Sequence, residues 1–298
     1  PKVPSIPKFL ADRALEKYRD KGSGCPGPFR VGMDPYVHSA KFAEEVEEAF
    51  DKALAEIDDS DVNDSDDSSV EEGDTSPLML GQIDTLDSIG SPNLIDELWG
   101  EDRPPVPVSP FRVHPLKYAG LSVSTKLSNV RDAMREKKAT MAVFGALDDV
   151  AYLFNVRAKG DVSTCPVGIG YAVVTADEAV LYCDGRKVES EEVRKHLEEG
   201  GVAVRPYDSV VNDIEEHLAD NDTGGGRNGG KGSNSKVWID RSRSNYALSR
   251  IIPPSQLIDA QNPITPMKAC KNEAELEGMR RAHVEDGAAM AHFMAWLE

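Results

Sequence analysis

Apolar positions crowd together most densely between residues 140 and 174, and there they come in short blocks rather than helical stripes. Met141, Ala142, Val143 and Phe144 form one block, 150–156 a second and 169–174 a third. The first two are separated by Leu147, Asp148 and Asp149, the last two by a polar loop over 157–166. β-Branched and aromatic runs of this length, bounded by Gly, Asp and Pro, predict strands, and unbroken apolarity predicts burial on both faces. Residues 179–183 follow after a tight turn at Thr175, Ala176 and Asp177, so the third block and this one are expected to pair as a hairpin.

Around that centre the period changes to three and four residues. Helices are predicted over 11–20, from Ser39 through Ala43, Val46, Phe50 and Leu54, over 93–99, and over 124–137 with Leu127, Val130 and Met134 on one stripe. A strand is predicted over 30–33. Farther on, helix 190–199, strand 202–205, helix 210–218 and strand 237–240 alternate, which favours parallel strands with helices across the faces. The last helix opens on a capping box, Asn272 with Glu275. Its predicted buried stripe is Leu276, Met279, His283, Met290, Met294 and Leu297. The proline-rich stretch 103–110 reads as a stiff spacer. One strand and two helices before it do not complete a domain, the chain opens at Pro1, and the last helical pattern reaches Glu298 without a stop signal. These features predict a piece of a longer chain.

Composition changes this picture in one place. The net charge is −18, of which residues 56–74 supply about ten, and a segment so poor in apolar groups cannot offset its ordering entropy. The remainder is only mildly acidic, with no basic face for nucleic acid or an anionic membrane. No apolar run is long enough to span a bilayer. Cys25, Cys165, Cys183 and Cys270 lack ligand spacing and read as reduced thiols. The glycine-rich stretch 223–233 offers Gly225, Gly230 and Lys231 to a phosphate, but Gly232 stands where a Ser or Thr is needed for magnesium.

Candidate chemistry is sparse. His283 and His292 lie nine positions apart on one helix and so face opposite ways, and His38, His114, His196 and His217 are isolated. No nucleophile elbow or zinc-binding helix motif occurs. The site candidates are Asn155 and Arg157, because residues at a strand end face the crevice where α/β proteins bind ligands. A plain tie from Arg157 to a carboxylate such as Asp161 is the competing reading.

Several strings resemble one family. Residues 31–35 (VGMDP) with Ser39 and Ala40, and 93–99 (NLIDELW) followed by Asp102, Arg103 and Pro104, are similar to the first domain and domain link of eukaryotic-type Xaa-Pro aminopeptidases, the aminopeptidase P family. Residues 146–157 (ALDDVAYLFNVR) resemble that family's second-domain core motif, and 268–283 (KACKNEAELEGMRRAH) the opening helix of its catalytic domain. Ala158, Lys159 and Gly160 depart from the family pattern, which has Gly directly after the arginine.

The resemblance implies an α/β fold: a creatinase N-terminal-like domain, with a ribonuclease H-like motif, a mixed sheet and helices on both faces, and a partial similar domain before it. It divides the chain into 1–57, the C-terminal part of the first creatinase-like domain; 58–76, an acidic insertion; 77–105, the end of that domain and a linker; 106–261, the second such domain; and 262–298, the first helix of a pita-bread catalytic domain. The activity implied is removal of an N-terminal residue that precedes proline, in a cytoplasmic, homodimeric metallopeptidase acting on peptides with proline in second position. Two divalent ions, manganese above all, would sit in the catalytic domain, with none bound by this chain; no catalytic or metal residue is placed here, and the fragment alone is expected to be inactive. The alternative is a non-catalytic creatinase-like module for dimerisation or interaction.

Overall fold

A computed structural model describes residues 3–20, 28–57, 80–86, 88–90, 92–222 and 235–297. The acidic run 58–76 and the glycine-rich stretch 223–233 lie outside them. The chain divides into two compact units, the first formed by 1–104 with 245–247 and the second by the rest.

In the first unit, helices α1 (Ile6–Asp20) and α2 (Ala40–Ala55) pack on each other and on a parallel pair of strands, β1 (Phe29–Met33) and β2 (Gly81–Thr85). Ser39 caps α2 as its sequence predicts, its Oγ accepting from the Phe42 N–H at 3.1 Å. Ala11, Ala14, Leu15, Val46, Phe50, Ala53 and Leu80 form the core. β2 begins with Gly because a Cβ at position 81 would lie 2.7 Å from the Phe50 ring. Helix α3 (Leu94–Trp99) is capped by Asn93, whose Oδ1 accepts from Ile95 N, and buries none of its residues.

The second unit contains β3 (Phe111–Val113), α4 (Leu116–Ala119), α5 (Val123–Lys137), β4 (Met141–Phe144), α6 (Leu147–Leu153), β5 (Val156–Ala158), β6 (Tyr171–Thr175), β7 (Ala179–Cys183), α7 (Glu191–Glu199), β8 (Ala203–Pro206) and α8 (Val210–Asp222). It continues with β9 (Val237–Ile239), the last three residues of the short α9 (Tyr246–Arg250), whose first two are assigned to the first unit, and then β10 (Leu257–Asp259), α10 (Ile264–Ala269) and α11 (Glu273–Leu297). Six strands form a mixed sheet in the order β10-β9-β4-β6-β7-β8. β6 and β7 pair as the predicted antiparallel hairpin, Val174 opposite Ala179, while β9 and β8 add in parallel to β4 and β7. β3 and β5 make a separate antiparallel pair.

Strand residues alternate between two cores. Ala142, Phe144, Ala172, Val174, Leu181 and Cys183 pack under α5, α6 and α7, whereas Met141, Val143, Val173, Val180 and Tyr182 pack under α8. Both faces of the central strands are thus covered, which is why their apolarity is unbroken.

Two expectations are corrected. The block 150–156 is not a central strand: α6 occupies 147–153, and only Val156 onward is extended, pairing with β3 outside the main sheet. A buried helix and a buried strand give the same unbroken pattern over so few residues, and the acids Asp148 and Asp149 in the first turn favour the helix through its dipole. The second concerns α11. Its N-terminal capping box forms, with Asn272 N donating to Glu275 Oε2 at 3.0 Å and Glu275 N to Asn272 Oδ1 at 3.1 Å. Yet the stripe Leu276, Met279, His283, Met290, Met294 and Leu297 is exposed, and α11 buries none of its residues among those described.

Candidate functional site

Helix α6 ends on carbonyls that no further turn can bind, and three basic side chains meet them. Arg157 Nη1 donates to Ala151 O at 2.7 Å and to Val156 O at 2.9 Å. Lys126 Nζ donates to Tyr152 O at 2.9 Å, and His196 Nε2 lies 2.9 Å from Phe154 O. Asn155 then turns the chain in a left-handed conformation, φ 49°. Its Oδ1 accepts from Lys126 Nζ at 2.7 Å, its Nδ2 donates to Leu121 O, and its own carbonyl accepts from His114 N at 2.7 Å. Asn is among the few residues that tolerate this region, since its short polar side chain bonds locally.

Lys126 is only 1% exposed and its ammonium sits 3.6 Å from the centre of the Tyr152 ring. Burial lowers it to about 8, although Glu275 pulls the other way. Burial, reinforced by the positive charges of Arg157, Lys126 and Arg112, lowers His114 to about 4, so its ring is neutral at physiological pH. Burial also lowers Arg157 from its ordinary value.

A crevice of about 220 Å3 opens beside this turn, lined by His114, Ser122, Val123, Asn155, His196 and Glu199 among others. Of the two sequence candidates, Asn155 therefore lines this crevice and Arg157 does not. Nor is Arg157 tied to Asp161, whose carboxylate accepts from Lys187 and from the N–H groups of Ser109 and Ile169 at 2.8 Å each. Ser122 is committed as the cap of α5, accepting from Thr125 N at 3.1 Å. The crevice can hydrogen-bond and orient a small polar group, and no nucleophile–base pair lines it. Lys126, His114 and His196 were not legible as site residues: they are far apart in sequence, and Lys126 sits beside the apolar stripe of α5.

At its other end α6 enters an ionic network. Asp149, 1% exposed, accepts from Lys268 Nζ at 2.9 Å, Arg243 Nε at 3.3 Å and Asn262 Nδ2 at 3.0 Å. Asp148 pairs with Arg243 at 2.9 Å and with Lys268. Burial raises Asp148, but the Lys268 hydrogen bond and the charges of Lys268 and Arg243 outweigh it and leave the carboxyl below its ordinary value. Among the described residues no group of three or more His, Cys, Asp or Glu side chains could hold a metal ion, and no helix is long and apolar enough to cross a membrane. Burial pushes the Cys183 thiol up to about 12, while Cys165 and Cys270 are exposed and free.

Residues 102–275 match the family model described as the creatinase/prolidase N-terminal domain. The chain is 37% identical over 233 residues to aminopeptidase P1 of Lotus japonicus, covering 69% of this chain and 35% of that protein. It is 33% identical over 319 residues to aminopeptidase P2 of Arabidopsis thaliana, covering all of this chain and 38% of that protein. It thus spans roughly a third of the length of the curated relatives it matches. Among solved structures, the X-prolyl aminopeptidase of Caenorhabditis elegans, described as a cytosolic enzyme with a di-nuclear active site, superposes on all of this chain and on 40% of that one. The TM-score is 0.77 at 24% identity, a likeness of fold.

Proposed function

Because the chain belongs to the creatinase/prolidase N-terminal domain family, we propose that it is the N-terminal, non-catalytic part of a metal-dependent Xaa-Pro aminopeptidase, an enzyme that removes the N-terminal residue preceding proline. The observation that carries this reading is that full-length similarity to a plant aminopeptidase P accounts for only 38% of that relative. The chemistry would then reside in sequence for which this chain has no counterpart. Two divalent ions, manganese in this reading, would supply the water-activating and Lewis-acid functions there. No residue described here is asked to hold them. A homodimer and a cytoplasmic location belong to the same proposal.

The test is release of the first residue from a peptide with proline second, by the 298-residue chain with and without manganese, beside a longer protein that carries the remaining two thirds of an aminopeptidase P. No turnover from the first and metal-dependent turnover from the second are expected. Metal-dependent turnover by the 298-residue chain would overturn the proposal, as would an inactive longer protein that is folded and metal-loaded. Sedimentation of the longer protein tests the dimer.

A further inference from the structure

Arg112 and Arg157 stand directly opposite each other in the β3–β5 ladder. Like charges in that position repel, and a chain that carries 52 acidic residues against 34 basic ones has carboxylates to spare for separating them. None does so: among the described residues neither guanidinium forms an ion pair with a carboxylate. Arg157 is half-buried and commits only Nη1 to backbone carbonyls, leaving Nε and Nη2 with no hydrogen-bond acceptor among the described residues. Arg112 is exposed on the same face of the ladder. The buried Lys126 lies close enough to feel the charge of Arg157. The carboxylate felt by both Lys126 and Arg157 is Glu275, one oxygen of which is already taken by the Asn272 N–H. The neighbouring His114 is neutral, held so by burial and by these three cations.

We propose that Arg112 and Arg157 form a binding site for one carboxylate, bridged between two planar guanidinium forks that match its geometry. The site lies outside the crevice beside Asn155, and the inference does not depend on the peptidase reading. A carboxylate there converts a repulsive cross-strand pair into two attractive ones. The carboxylate comes either from a small free acid or from an acidic residue of a peptide, and the two sources are separated by the choice of probe.

The experiment is calorimetric titration of the 298-residue chain, at low ionic strength so that exposed charges are not screened. The probes are succinate, a tetrapeptide amide bearing one glutamate, and inorganic phosphate. Saturable binding of succinate or of the peptide, weakened about tenfold or more in Arg112→Gln, is expected, that being the loss of a charge-assisted hydrogen bond. Binding of succinate alone assigns a small acid, and binding of the peptide alone assigns a chain-borne carboxylate. No saturation by either, an affinity unchanged by Arg112→Gln, or tighter binding of phosphate than of both carboxylates would overturn the proposal. Because Arg112 is exposed, its variant retains the fold. In carboxylate-free buffer its thermal midpoint should equal or exceed that of the parent, and a lower midpoint would remove the repulsion on which the inference stands.

Discussion

Lys268 lies 119 positions after Asp149, and its ammonium rests 2.9 Å from a carboxylate oxygen that solvent barely reaches. The contact joins the first turn of α6 to α10, and the hydroxyl of Tyr152 adds a longer bond to Met267 O at 3.4 Å. Asn272 fixes the next few residues by donating to Ala119 O at 2.8 Å. The segment leading into α11 is therefore held at three points on one body before the helix leaves it.

Breaking this network at one donor should cost less than the sum of its contacts suggests. Lys268→Met leaves Asp149 with Arg243 and Asn262, and is expected to lower stability by about 1–2 kcal/mol. Removing Lys268 and Arg243 together strands a buried charge and should cost more than the two single changes combined. Urea denaturation of the two single variants and the double variant measures the coupling, and strict additivity would show that the two cations act independently rather than sharing one buried charge.

Asn155→Ala should destabilise by about 2–4 kcal/mol, since it strips Lys126 of one acceptor and places a residue without a local hydrogen bond at positive φ. Asn155→Gly relieves the backbone half of that loss and should fall between the variant and the parent. Equal losses for the two would mean that the backbone conformation carries nothing.

Acid should act on this protein before its carboxylates titrate. His114 is lowered from 6.5 to about 4, so between those values the unfolded chain takes up a proton that the folded chain refuses. The contribution is whole above pH 6.5 and is lost as pH falls toward 4. His114 is partly open to solvent, and the loss is on the order of 1 kcal/mol after allowing for screening. His114→Gln should flatten stability over that window. Asp148, held below 3.8, adds its own loss only at more acid pH.

Phe154→Ala should cost about 3–5 kcal/mol, as for other large buried side chains, because Phe154 is fully buried at the end of α6. Arg157→Ala should cost less, about 1–3 kcal/mol, through the two carbonyls it releases. Chemical denaturation ranks the pair, and equal losses would mean that the carbonyl ties matter as much as the core.

Much of the architecture could be read from the chain because it rests on local chemistry. Ser39 and the Asn272–Glu275 box cap their helices through bonds only three residues long, and the turn after Thr175 closes its hairpin at once. The strings at 146–157 and 268–283 likewise pointed to a family without any coordinates. What the pattern could not decide was whether 150–156 is strand or helix, because a segment covered on both sides looks alike in either state. The tertiary structure also converted Arg157 from a lone strand-end charge into a tie on α6 that stands opposite Arg112. It gathered Lys126, His114 and His196 from three distant segments around one turn. Those relationships depend on which strands pair and which helix ends meet, and such long-range choices are made by the packing of the two cores rather than by any short run of residues.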